Sequence, residues 1–322
     1  MSSTLARLNP LGQTFGVVVE AGAPGLRSLD PAEVASLFKE HGAVLLRGFG
    51  AEVEDFLWLS EALSSEFSTY RGGGLRLGPL DREAVGGKET LLTVTGGNRG
   101  FPILLHGEMY YLKKHPSILW FFCERAPEAG GETVLCDGEA LLTRLAPPTR
   151  ELFGQRAVKY LRQLTRDEWP VTFQTEDVGE LRRVCEENDT RLTIRPDGGV
   201  ETEYVCSAIS QSRGRGRDGF VNNVAEIYSI EWAFESGWIS ENLPELSRRT
   251  CPLVVRMEDG SKVPSAVFDE VHRLGAELSV PVTWQDGDVL MVDNTRLLHG
   301  RNQTHGSRRR VLVRLSEPAF DW

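Results

Sequence analysis

The stretch Val289-Leu290-Met291-Val292-Asp293-Asn294-Thr295-Arg296-Leu297-Leu298-His299-Gly300-Arg301 decides how the chain folds. Two short apolar runs flank an Asp-Asn turn, and the second run carries His299. Runs this short, rich in Val and Leu and bounded by turn residues, read as buried strands rather than helix. The next run, Arg310-Val311-Leu312-Val313-Arg314-Leu315, repeats the signal with period two. Upstream, residues 279–284 lead into the turn Gln285-Asp286-Gly287-Asp288, and Ile118-Leu119-Trp120-Phe121-Phe122-Cys123-Glu124 reads as a strand buried on both faces.

Working outward from these strands, helices gather mainly near the front. Asp30 before Pro31 predicts an N-capped helix over 31–40, ended by His41-Gly42. Residues 15–19 and 43–49 read as strands, 52–67 as a second helix, and 139–145, 149–153 and about 265–274 as further helices. Residues 158–219 read as a β-rich insertion with strands near 192–194 and 203–206, and 220–223 as a strand facing the pocket. Many short strands without βαβ repetition predict a mainly β fold with flanking helices, a double-stranded β-helix of the jelly-roll kind. No internal repeat or linker divides the chain, so 1–322 is expected to be one domain.

Composition narrows the function classes. The chain has 322 residues, 40% of them hydrophobic, enough for one large core or two small ones. Its net charge of -10 and pI near 5.3 argue against nucleic acid or an anionic membrane as main partner. A small anion in a local arginine pocket remains compatible with that charge. No apolar stretch is long enough to predict a membrane span. The first residues lack a basic start and an apolar core, so a cytoplasmic protein is expected. Five cysteines without a CxxC pair argue against a structural zinc site or a disulfide framework.

Residues 71–100 hold 9 glycines in a spacing that matches no phosphate-binding fingerprint. They read either as a flap over a pocket or as a plain surface loop.

The chemistry-bearing pattern is His106-Gly107-Glu108. On a strand, residues two apart share a face, so an imidazole and a carboxylate would point the same way. Alone, such a pair is ordinarily a core or salt-bridged histidine. With His299 as third ligand it becomes a two-histidine, one-carboxylate triad, the set that leaves open positions on iron(II). Arg310, Leu312 and Arg314 share one face of the last strand. An arginine aimed into a core needs an anion, and a dicarboxylate co-substrate held bidentately would supply it. Arg308 and Arg309 read as surface residues.

Three groups of residues together resemble the taurine dioxygenase family of iron(II)/2-oxoglutarate oxygenases, in its clavaminate synthase-like branch. They are His106-Gly107-Glu108-Met109 with the tyrosines after it; Phe122-Cys123-Glu124 with Ala129-Gly130-Gly131-Glu132-Thr133; and Asp288, Asp293-Asn294, His299-Gly300-Arg301-Asn302 and Arg309-Arg310. The resemblance covers about residues 42–314. It implies His106, Glu108 and His299 as catalytic iron ligands, and a Thr133 hydroxyl directed at 2-oxoglutarate. It implies an arginine of the last strand on the distal carboxylate of that co-substrate, for which Arg314 and Arg310 both qualify, with Arg314 preferred there and Arg310 for the carboxylate near iron or its shell.

The resemblance also implies decarboxylation of 2-oxoglutarate to succinate, with dioxygen as the second co-substrate, coupled to hydroxylation of an unactivated C–H bond. A carboxylate at 108 argues against the halogenating members, where a small residue leaves room for chloride. The implied substrate is an amino-acid-derived small molecule or a carrier-tethered aminoacyl group in natural-product biosynthesis, such as antibiotic biosynthesis. Desaturation, epoxidation and cyclisation are alternative outcomes at the same site. Candidate substrate contacts are Tyr70, Arg71, Asn98 and Asn223.

Two rival readings make different predictions. A non-catalytic binding barrel predicts that His106, Glu108 and His299 do not converge. A cupin-like metal enzyme without oxoglutarate predicts that Arg310 and Arg314 point away from the metal.

Overall fold

Apolar residues on both faces of the 118–124 run suit a strand in the middle of a sheet. In the computed structural model, which describes residues 5–22, 25–74, 82–94, 101–246, 250–306 and 308–322, the strand Ile118–Arg125 lies between Val289–Asp293 and Arg310–Pro318, antiparallel to both. Among the described residues this major sheet has nine strands. It continues through Ala43–Arg47, Val17–Ala21 and Leu5–Pro10 on one side, and through Lys88–Thr93 and Ala84–Val85 on the other.

Period two divides its two faces. Leu119, Phe121 and Cys123, with Val311, Val313 and Leu315 opposite them, point into the main core. Ile118, Trp120 and Phe122, with Leu312, point the other way and pack under Val34, Phe38, Phe56 and Leu59. Those last residues belong to the helices Pro31–His41 and Val53–Leu63. The Asp30 carboxylate accepts from Ala32 N at 2.9 Å and starts the first helix; Gly42 ends it at φ 74°, where a glycine has no Cβ to clash. The second helix stops at Leu63, short of the expected residue 67. Ser64–Phe67 instead forms a strand against the last strand, with the Ser64 hydroxyl donating to Ser316 Oγ at 2.8 Å.

A minor four-stranded sheet, ordered Val280–Val282, Thr133–Asp137, Leu297–Arg301, Ile103–His106, lies across the main core. Its Leu135, Leu297 and Val282 share that core with Phe121 and Val313 of the major sheet. The site lies between these two sheets.

Two expectations need correction. The architecture is mixed α/β rather than mainly β, because helices cover the outer face of the major sheet and fill much of 138–278. Among the described residues the sheets stay separate, and no closed barrel or strongly curled sheet forms. The 158–219 segment supplies strands Val158–Leu164, Arg191–Ile194 and Val200–Cys206 to a third sheet with Leu253–Met257. It also holds helices Glu168–Phe173 and Val178–Glu187 over a small core of Leu164, Trp169, Phe173 and Leu181. Residues 220–223 are not a strand; they lead into helix Val224–Glu235. The basic turn near 213–217 faces acids: Arg213 meets Glu317 at 2.8 Å and Arg215 approaches Glu139 at 3.6 Å.

Candidate active site

The antiparallel register sets His299 directly opposite His106. Neighbouring residues in such a pair send their side chains to the same face, and the two rings meet with centroids 4.2 Å apart. Gly300 allows the approach: a Cβ there would sit 2.6 Å from the Ile103 carbonyl oxygen. On the other flank, Thr133 pairs with Arg301 and Leu135 with His299.

Glu108 arrives by a different route from the one its spacing suggests. The strand ends at His106, and Glu108 sits in the turn that follows. Asn294 holds that turn. Its Oδ1 accepts from Glu108 N at 2.8 Å, and its Nδ2 donates to the Glu108 carbonyl at 3.1 Å and to the Pro116 carbonyl at 2.7 Å. Gly107 is needed because a Cβ would lie 2.5 Å from the Tyr110 ring. Met109 follows at φ 63°, a left-handed conformation that costs of order 1 kcal/mol for a non-glycine residue. The Asp293-Asn294 turn of the fold-deciding stretch thus aims the carboxylate.

His106, Glu108 and His299 are all buried, and each offers a ligand atom within 4.8 Å of the others'. His106 Nδ1 lies 2.8 Å from the Leu104 carbonyl, so it carries the proton and its Nε2 is the nitrogen left for a metal. His299 Nε2 faces Glu108 Oε2 at 3.5 Å. Burial first, and then the neighbouring His106, push His299 down to about 4, which keeps it a neutral ligand. Burial pushes the Glu108 carboxyl up, but the Arg82 guanidinium 2.6 Å away and the two histidines more than offset it. Glu108 is held well below the usual carboxylate range. Two imidazoles and one carboxylate fit a divalent iron, with positions left open for small ligands.

These ligands line a cavity of about 410 Å³, of small-molecule size. Its wall also includes Tyr70, Arg82, Leu92, Phe121, Thr133, Asn223, Glu226, Arg301 and Arg309. The Thr133 hydroxyl accepts from Trp284 Nε1 at 3.2 Å, so its own hydrogen is free to turn toward the cavity. Tyr70, at φ 63°, stands under the Arg82 guanidinium, 4.7 Å from ring centroid to Cζ. Asn223 is buried in the wall.

Three other expected residues, Arg71, Arg310 and Arg314, do not come to the cavity. Arg71 pairs with Glu180 at 2.6 Å and donates to the Phe173 carbonyl. Asn98 lies outside the described residues, as does part of the glycine-rich stretch read as a flap. Arg310 is exposed and paired with Glu124, at the point where the register with the 118–125 strand shifts. Arg314 is buried, but on the outer face of the sheet. Its Nη1 donates to Ser60 Oγ at 2.7 Å, and its guanidinium lies over Phe67. The arginine that enters the cavity is Arg309, just ahead of the last strand and read from sequence as a surface residue. It is only 5% exposed, and its Nε donates to the Gly131 carbonyl at 3.0 Å.

Arg301 joins Arg309 at the same end of the cavity. Burial holds both guanidiniums down to about 10, and Arg309 is lowered further by the Arg301 charge. Among the described residues, no carboxylate lies within ion-pair distance of Arg309. A buried guanidinium in the surroundings of Arg309 calls for an anion from outside the chain. Arg301 was legible in part: His299-Gly300-Arg301 has the same two-residue spacing as His106-Gly107-Glu108. Nothing in the sequence signalled Arg82 or Glu226.

The three metal-site side chains converge, so the reading as a binding barrel without a metal centre fails its own test. The arginine test for the cupin-like reading is met by Arg310 and Arg314, yet two other arginines, Arg301 and Arg309, line the cavity. Comparison with known proteins agrees with this site. Residues 7–316 match the family described as taurine catabolism dioxygenase TauD, TfdA family. A clavaminate synthase-like protein of Arabidopsis thaliana is 29% identical over 294 residues, 87% of this chain and 83% of that protein. The dapdiamide synthesis protein DdaC of Enterobacter agglomerans is 25% identical over 293 residues, 89% and 85% of the two chains. In fold, the crystal structure of PvcB from Pseudomonas aeruginosa is similar, with a TM-score of 0.59 at 17% identity over 98% of this chain and 93% of that one. The chain therefore belongs to the TauD/TfdA dioxygenase family and is an iron(II)- and 2-oxoglutarate-dependent oxygenase.

Proposed function

We propose that the enzyme hydroxylates an unactivated C–H bond of an amino-acid-derived small molecule, free or carried as an aminoacyl group, in a biosynthetic pathway. The observation that carries this is the cavity itself: a metal triad on one wall, a buried arginine pair at one end and room for a small polar molecule between them. The relative that serves dapdiamide synthesis supports the biosynthetic setting.

In this reading His106, Glu108 and His299 hold iron(II). Arg301 and Arg309 take the carboxylates of 2-oxoglutarate, with the Thr133 hydroxyl donating to the nearer one. Iron, 2-oxoglutarate and dioxygen together supply the oxidising power for C–H cleavage when bound. The protein's part is placement. Arg82 fixes one oxygen of Glu108 and so keeps the carboxylate from spreading over the open positions. Leu92, Val94 and Phe121 line the cavity with apolar surface and exclude water. Tyr70 and Asn223 face the substrate space.

The two facing sheets are, on this reading, an opened double-stranded β-helix within one domain. A cytoplasmic setting goes with it, because five free cysteines suit a reducing compartment. The test is substrate-dependent formation of succinate from 2-oxoglutarate across a panel of amino acids and their derivatives. Succinate rising above the uncoupled rate with some member supports the reading. A panel that leaves it at the uncoupled rate, while a non-amino-acid molecule stimulates it, contradicts the substrate class.

A further inference from the structure

Among the described residues, one carboxylate of the cavity faces no lysine or arginine within ion-pair distance. Glu108 is met by Arg82 at 2.6 Å, and Arg301 and Arg309 stand at the end proposed for the co-substrate. Glu89 reaches only the exposed rim. Glu226 is different. It lies in the first turn of helix Val224–Glu235, lines the cavity and has a side chain only 16% exposed. Its Oε2 accepts from Asn223 Nδ2 at 3.0 Å. Its Oε1 stands 3.6 Å from His106 Nδ1, too far for a hydrogen bond, and that nitrogen already serves the Leu104 carbonyl. Among the described residues, no lysine or arginine lies within ion-pair distance of Glu226.

A carboxylate walled into a small-molecule cavity, one oxygen held by a neutral amide and the other beside the His106 ring on its Nδ1 side, is matched by a cation carried by the ligand. A primary ammonium has the three donors and compact charge that such a single carboxylate accepts. We propose that Glu226 is the specificity residue that binds a free amino group of the substrate, seating it beside His106, with the Asn223 amide orienting the carboxylate. The enzyme therefore takes primary amines and rejects their N-acylated forms. This inference rests on the small-molecule oxygenase reading above and narrows its substrate class.

The test uses the full-length protein loaded anaerobically with iron(II) and 2-oxoglutarate. The probes are free α-amino acids, each paired with its N-acetyl derivative and its amine-free carboxylic acid. The readout is the change each probe produces in the visible charge-transfer absorption of the iron–oxoglutarate centre. The expected result is that at least one free amino acid saturates the change while its N-acetyl and amine-free partners need about 30-fold more or fail. Glu226→Gln, close in shape, weakens the free amine by about 30-fold or more without moving the concentration at which 2-oxoglutarate saturates. Glu226→Asp, which keeps the charge, recovers part of the loss. Equal response to free and acetylated probes, unchanged amine affinity in Glu226→Gln, or no response to any amine overturns the proposal. If 2-oxoglutarate raises no absorption in the wild type, the oxygenase reading fails instead.

Discussion

Arg309 and Arg314 are both buried at the end of the chain, five residues apart, and they do opposite work. Arg314 lies on the face that carries Leu312 and is opposite Trp120, under the front helices. There Ser60, Glu61, Thr90 and the ring of Phe67 surround it. Its charge is answered inside the protein, so it ties helix to sheet. Arg309 has the parity of Val311 and Val313 and enters the cavity, where it meets Arg301 and, among the described residues, no acid within ion-pair distance. Its charge awaits a ligand. Burial alone does not separate a structural arginine from a binding one; what answers the charge does.

Exchanging each arginine tests that contrast. The largest effect is expected from Arg309→Met. Removing one partner of a buried charge pair costs about 2–5 kcal/mol of binding, so the KM for 2-oxoglutarate in a succinate assay should rise by about 30-fold or more. The apo protein should melt at the same temperature or higher, since an unanswered cation has gone. Arg314→Met should behave inversely. It loses hydrogen bonds of a charged group and should cost about 1–3 kcal/mol of unfolding free energy in urea titration, while the KM for 2-oxoglutarate holds within a factor of about two.

Smaller effects sharpen the picture. Thr133→Val removes one hydroxyl and should weaken 2-oxoglutarate by about 1 kcal/mol, read by calorimetry. Arg310→Ala removes only an exposed pair with Glu124 and should change stability by less than about 0.5 kcal/mol, with 2-oxoglutarate binding unaltered. A large loss of co-substrate affinity in Arg310→Ala would reverse the assignment of faces.

This contrast also marks what the sequence could say. Period two correctly put Leu312 and Arg314 on one face, but it cannot tell which face is the cavity when both are buried. The outer face is covered by Pro31–His41 and Val53–Leu63, far away in sequence, so its apolar pattern looks like that of an inner face. The strands around Ile118, Val289, Leu297 and Arg310 were legible because each is a short apolar run between turns. The helix over 31–41 was legible from Asp30, Pro31 and Gly42. His106 and Glu108 were paired through strand spacing and His299 was added from its place after an apolar run and the Asp293-Asn294 turn, although Glu108 reaches the site through a turn pinned by Asn294 rather than along a strand. Arg82 and Glu226 left no local pattern because tertiary packing alone brings them to the cavity. The front-loaded helices suggested a mainly β remainder, but the helices between 138 and 278 mix with the strands because they cap cores that no strand covers.

The most direct test of the account is the visible absorption of the anaerobic iron(II) protein as 2-oxoglutarate is added. Wild type and Arg314→Met are predicted to develop the same charge-transfer band at the same 2-oxoglutarate concentration, Arg309→Met only at much higher concentration, and His299→Ala not at all. A band that survives in His299→Ala, or that is lost in Arg314→Met and kept in Arg309→Met, would contradict the site described above.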